Sequence, residues 1–385
     1  MMLRIRIFML FSLVFMILAL LTGIFRLMSV NSFSTGIFVQ LYPLHSIIMV
    51  FGFLSIIVMT ERVSSVMETP GLNNSKIPTL MVIFMILGIL GEIIGYVYYN
   101  RLIIYFGSVL LFIGCIFFII LLYLLSRKTN IKLSFWYMIL SVSALSIASL
   151  LSAFYLPAGR YGFIMLLILF PILFIIGERV ELSRFFASPL IISRFNHAFV
   201  LSLISVVLFS LSSFLLNIGQ IMLTLGFIML LITVLLVLSV ESSNIKRLIS
   251  AGLPLQKYVS FHVRLAYIWM ILGIILAIIY VSALNYFVLY DSFIHSLTVG
   301  FIGTMLLAHA PIIFPTVLKK KTLIVPSFSP LTLLTLGNVI RVGGDIILII
   351  TNSNLVRFIV GFSGWLILIS FLLFAKEILF KVLSS

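Results

Sequence analysis

Apolar residues run along this chain in long blocks separated by short polar stretches. Twelve blocks come close to or exceed the roughly 20 residues a helix needs to cross hydrocarbon. They cover 7–25, 40–60, 78–99, 102–125, 133–156, 161–179, 197–217, 219–240, 262–286, 292–317, 327–350 and 356–377. The pattern predicts an all-α, polytopic membrane bundle of about 12 transmembrane helices, with residues 1–385 forming a single transmembrane domain. Arg4 and Arg6 precede the first block, as in a signal peptide. Its apolar stretch is too long for one, and no small-residue cleavage site follows, so it reads as the first helix. No connection is long enough to be a domain. The longest, near 178–196 and 241–261, are expected to form short interfacial helices.

Composition narrows the picture further. The chain is 63% hydrophobic and 9% charged, with a mean hydropathy of +1.36. An ordinary soluble domain is about half apolar and about a quarter charged. A soluble enzyme, a disordered tail and a fibrous protein are excluded, and no basic, aromatic-lined groove suggests nucleic acid. The net charge of +15 comes from 24 basic and 9 acidic residues. In so apolar a chain this excess reads as topology. Nineteen basic residues fall on the side of the N-terminus, from Arg4 and Arg6 through Arg62, Lys128, Arg179, Lys246 and Lys319 to Lys381. Four fall opposite, at Arg26, Arg101, Arg160 and Arg357. The positive-inside rule then places both termini in the cytoplasm, which requires an even number of spans. The single cysteine, Cys115, excludes an internal disulfide and a cysteine-built metal centre.

Few ionisable residues lie inside the blocks, and such residues are costly in hydrocarbon and usually functional. They are Glu92, Asp291, Arg341, Asp345 and five histidines: His45, His197, His262, His295 and His309. Counted from block starts at 40 and 291, His45 and His295 sit about 7 and 6 Å into helices 2 and 10 at 1.5 Å per residue. Two histidines at matched depth on two helices suit axial ligation of one haem iron. Their surroundings echo one another, LHSIIMVFGF (44–53) and IHSLTVGFIG (294–303), with Gly52, Gly300 and Gly303 leaving room for a flat macrocycle or for helix packing. The plainer reading makes each histidine an interfacial residue bonded to a carbonyl.

His309 follows His295 by 14 residues, nearly four turns, and so shares its face; Pro311 and Pro315 are expected to kink or end that helix. His197 and His262 open helices 7 and 9. With His309 they form either an inner copper or zinc site or three unrelated boundary residues. Arg341 and Asp345, in GNVIRVGGD (337–345), stand at i,i+4 and can neutralise each other. The functional alternative gives Arg341 a haem propionate or another anion. Glu92, in GILGEIIGYVYY (88–99), lies beside the Gly91/Gly95 pair and so faces protein. It either relays protons or is a neutral carboxyl bonded to Tyr96, Tyr98 and Tyr99. Glu61–Arg62 reads as a solvated turn, or as a cytoplasmic gate in its functional version.

Two stretches, HSIIMVFGFLSIIVMTERV (45–63) and HSLTVGFIGTMLLAHAPIIFP (295–315), together with RVGGD (341–345), resemble NnrS-like membrane proteins. The closest likeness is to an uncharacterised branch of that family. The resemblance implies a twelve-span, haem–copper-oxidase-like arrangement, a haem with His45 and His295 as axial ligands, copper as a further metal, and a role in nitric oxide metabolism. Helix 6 has no histidine, so an oxidase's three-histidine copper site is not expected. Where the family's helix-2 pattern carries a further His and a Glu, this chain has Tyr42, Pro43 and Ser46. The first reading is therefore a haem b protein for electron transfer or for handling or sensing a diatomic gas. It would reside in the plasma membrane, with a redox partner or respiratory subunit beside it. The rivals are a proton-coupled secondary transporter and a non-catalytic membrane subunit of a respiratory complex.

Overall fold

A computed structural model describes residues 2–30, 42–68, 75–130, 132–154, 160–183, 189–215, 218–250, 252–282, 287–317, 325–351 and 353–384. These residues are helical throughout, apart from short turns, and include no strand. Among them, twelve helices are long and apolar enough to cross a membrane. In chain order they are α1 (Met2–Val30), α2 (Tyr42–Ile47, Ile48–Leu54 and Ser55–Glu68), α3 (Ile77–Val97), α4 (Arg101–Ser126), α5 (Lys132–Phe154) and α6 (Arg160–Ser183). There follow α7 (Pro189–Ser212), α8 (Gly219–Ser250), α9 (Pro254–Ser282), α10 (Phe287–His295, Ser296–Gly303 and Thr304–Val317), α11 (Ser329–Thr351) and α12 (Asn354–Ser384). The middle pieces of α2 and α10, Ile48–Leu54 and Ser296–Gly303, are π-helical.

Several helices outrun the apolar blocks that predicted them. Helix α7 starts at Pro189 and α9 at Pro254, so His197 and His262 lie two turns inside their helices and do not open them. Proline suits a first helical turn, where its missing N–H has no intrahelical acceptor to lose. The expected interfacial helices near 178–196 and 241–261 are replaced by extensions of α6, α7, α8 and α9. Helix α10 begins at Phe287 and runs on through Pro311 and Pro315 to Val317. The block ends at 40–41, 155–156, 216–217 and 283–286 lie outside the described residues, as do Arg184 and Lys319–Lys321 and the side chains of Tyr42 and Pro43.

The chain forms two compact units, which it enters twice each. The first comprises Met1–Thr22 and Gln40–Thr233; the second comprises Gly23–Val39 and Val234–Ser385. In the first unit, α3 and α4 cross at backbone contact. A methyl group on Gly91 would stand 2.9 Å from Gly107 Cα, and one on Gly95 would stand 2.7 Å from the Ile104 nitrogen. Without water to drive apolar burial, helix association in a bilayer relies on such close packing. The α3–α4 turn is set by Tyr99, in the left-handed region at φ 51°, and by Asn100, whose side chain accepts from the Leu102 and Ile103 amides. Cys115 is buried in α4. In the second unit, α9 packs on α10, and α11 lies against α10 and α12.

Candidate functional site

The second unit holds a group of largely buried ionisable side chains. Arg341 of α11 reaches Asp291 of α10 through two parallel bonds, Nε to Oδ2 at 2.9 Å and Nη2 to Oδ1 at 3.1 Å. The expected i,i+4 pair with Asp345 is thus replaced by a clamp between helices. Asp291, brought alongside by the packing of α10 on α11, takes both edges of the guanidinium. The planar guanidinium then meets a carboxylate that can accept both of its edges. Asp345, one turn on from Arg341, is itself 3% exposed. Asp291 also orients His295. The His295 Nδ1 lies 2.9 Å from the Asp291 carbonyl and 3.4 Å from its carboxylate. Both acceptors call for a proton on Nδ1, which leaves Nε2 as the ring's basic nitrogen.

His45, in the first unit, is held in a comparable way. Its Nδ1 lies 2.7 Å from the Ala19 carbonyl of α1. His45 stands three residues before the π-helical segment of α2, and His295 immediately precedes that of α10. π-Helical turns are rare and gather at functional sites. The sequence echo therefore has a structural counterpart in each unit. Two of the accompanying glycines meet close neighbours: a methyl on Gly52 would stand 2.9 Å from Phe15 Cγ, and one on Gly300 2.6 Å from Trp269 Cγ, whereas one on Gly303 would find its nearest neighbour, Phe371 Cζ, at 3.4 Å. Because α10 starts at Phe287, His295 lies about 12 Å into its helix at 1.5 Å per residue, deeper than the sequence implies.

The other histidines stand apart in character. His309 is buried, with Nδ1 2.7 Å from the Met305 carbonyl. The π-helical segment between it and His295 shifts hydrogen bonds to i→i+5, so the 14-residue count no longer implies a shared face. His262 is fully buried against Tyr258 and Phe328, at ring separations of 3.9 and 5.9 Å. His197 is exposed and faces Ser193 at 3.5 Å. Among the described residues, no group of three or more His, Cys, Asp or Glu side chains is arranged to hold a metal ion.

Two polar groups in the first unit were only half legible. Glu92 is fully buried and accepts hydrogen bonds from Ser108 of α4 and from Ser152 of α5, the latter at 3.2 Å to each carboxyl oxygen. Tyr98 and Tyr99, proposed as its partners, are 75% and 63% exposed. Arg62 is not in a solvated turn. It is 6% exposed, inside α2, and pairs with Glu181 at 3.2 Å, Glu178 at 3.4 Å and Glu61 at 3.9 Å, with the Phe174 ring 5.6 Å away. The signal was the motif ERVE (178–181), whose two glutamates stand at i,i+3 after an apolar run. Three carboxylates compensate a buried guanidinium that would otherwise be costly.

No curated protein matches the sequence. A single family model spans nearly all of it, residues 4–379, and so takes in both units and every polar group described above. The chain belongs to the family described as Domain of unknown function (DUF8744).

Proposed function

We propose that this protein is an NnrS-like integral membrane haem protein of the plasma membrane. On this reading its helices are arranged as in haem–copper oxidases, both termini are cytoplasmic, and His45 and His295 would hold a haem b near the outer face. The observation that carries the proposal is the matched setting of the two histidines. Each has its Nδ1 against a backbone carbonyl, which would make Nε2 the ligand atom; His45 stands three residues before a π-helical segment and His295 immediately before one. Metal-bound histidines characteristically donate the other ring nitrogen to a carbonyl or carboxylate. Asp291 fills both roles for His295, and Arg341 fixes Asp291.

The haem would supply a one-electron couple, suited to electron transfer or to handling or sensing nitric oxide or another diatomic gas. The residues of this chain orient the ligands. Ala19 fixes the His45 ring, and Arg341 acts on His295 through Asp291. Arg341 gives two parallel bonds to Asp291.

The test is the absorption spectrum of detergent-purified protein. A Soret band is expected in the wild type, before or after haem supplementation, and His45→Ala and His295→Ala should each remove it. A spectrum without that band, or one indifferent to both substitutions, overturns the proposal. The buried carboxyl groups Glu92, Asp291 and Asp345 support a second reading, proton-coupled secondary transport. Proton-dependent uptake by metal-free proteoliposomes would favour it over the haem.

A further inference from the structure

One face of α11 carries four polar side chains, and three of them hold buried atoms without a hydrogen-bond partner. Thr335, Asn338, Arg341 and Asp345 succeed one another at steps of three or four residues and so line one side of the helix. Asn338 is 1% exposed, and both its amide nitrogen and its amide oxygen are buried without a hydrogen-bond partner. The Thr335 hydroxyl and the Asp345 Oδ2 are buried and unpartnered as well. At 1.5 Å per residue the stretch from Thr335 to Asp345 spans about 15 Å, half of a hydrocarbon core about 30 Å thick.

A second pair of such groups lies beyond the other end of the stripe. The Tyr258 hydroxyl and the His262 Nε2 are buried without partners, on side chains that are both fully buried. Their rings lie 5.3 and 5.9 Å from that of Phe328, the residue just before α11. His262 Nδ1 lies 2.7 Å from the Tyr258 carbonyl, so its proton sits there and Nε2 is free to accept another.

A buried amide or hydroxyl left unbonded is costly in proteins, and more so where only hydrocarbon surrounds it. An asparagine amide missing every partner, in line with two further orphaned oxygens, is not a dry packing arrangement. Water is the species that satisfies such groups, and it needs two to four polar partners of the kind this face offers. Apolar packing explains neither the spacing nor the alignment.

We propose that this face of α11 is a hydrated track that carries protons through the second unit, between the Tyr258–His262 pair and Asp345. Asn338 and Thr335 order the water, because an amide and a hydroxyl both donate and accept while remaining neutral. The proton-accepting groups stand at the two ends. Protons pass along the water chain without any covalent change in the protein, and one leaves at one end for each that enters at the other. The proposal is independent of the haem reading, since neither His45 nor His295 belongs to the track.

The experiment reconstitutes the full chain in liposomes containing a pH-sensitive dye, with a potassium gradient and valinomycin to drive proton entry. Wild-type vesicles should acidify faster than protein-free ones. Asn338→Leu should lower the protein-dependent rate about tenfold, and Thr335→Val should lower it in the same direction. Asn338→Ser, which still binds water, should conduct faster than Asn338→Leu. Circular dichroism and monodisperse elution identify a folded variant, and Thr335→Val serves if Asn338→Leu does not fold. Wild-type vesicles no faster than protein-free ones would overturn the proposal. So would folded Asn338→Leu or Thr335→Val protein that conducts at the wild-type rate.

Discussion

Replacing Arg341 by methionine leaves the largely buried Asp291 carboxyl without the two bonds from its partner helix. The Arg341 and Asp291 side chains are 9% and 13% exposed, so little water can take the guanidinium's place. Breaking one side of a buried ion pair typically costs about 3–5 kcal/mol, whereas removing both charges together is often neutral. Arg341→Met alone is therefore expected to destabilise the second unit by about 3–5 kcal/mol, and Arg341→Met with Asp291→Asn by much less. Arg341→Met with Asp345→Asn should stay as unstable as the single variant, because Asp345 does not hold the guanidinium. Equilibrium unfolding of the detergent-solubilised protein in increasing SDS measures all four stabilities. Rescue by Asp345→Asn in place of Asp291→Asn would refute the interhelical clamp and restore the one-turn pair expected from spacing. Equal loss in every combination would show that the ion pair has no bearing on stability.

Two further outcomes test the first unit. Gly107→Val should separate α3 from α4, since even a methyl there would stand 2.7 Å from the Glu92 nitrogen; a loss of about 1–3 kcal/mol or more is expected, measured as a lower unfolding midpoint. Glu92→Leu should cost about 1–3 kcal/mol by stranding the Ser108 and Ser152 hydroxyls. Glu92→Gln should cost less, since its amide oxygen still accepts, and a thermal-shift comparison of the two separates them.

Much of this architecture was legible because hydrocarbon leaves a chain few choices. A backbone that cannot bond to lipid must bond to itself, so a long apolar block is a helix. The twelve blocks and the Gly91/Gly95 contact follow from that constraint and from the absence of a side chain on glycine. Helix ends were less legible: α7 and α9 begin at Pro189 and Pro254, before their apolar blocks. Hydropathy records where lipid is, not where backbone hydrogen bonding starts.

Pairing between helices was the part only tertiary structure could decide. Spacing along α11 favoured Arg341 with Asp345, but the guanidinium goes to Asp291, 50 residues away in sequence. Arg62 was set in a turn, yet Glu178 and Glu181 draw it into a buried group from 116 and 119 residues away. The π-helical turns beside His45 and His295 left no mark in the apolar pattern, because they change hydrogen-bond register without changing hydrophobicity. Local composition determines which segments enter the membrane and which residues are too polar to lie there idly. Which of those residues meet depends on side-chain direction and on neighbours brought in by packing, neither of which is written in the order of residues along one helix.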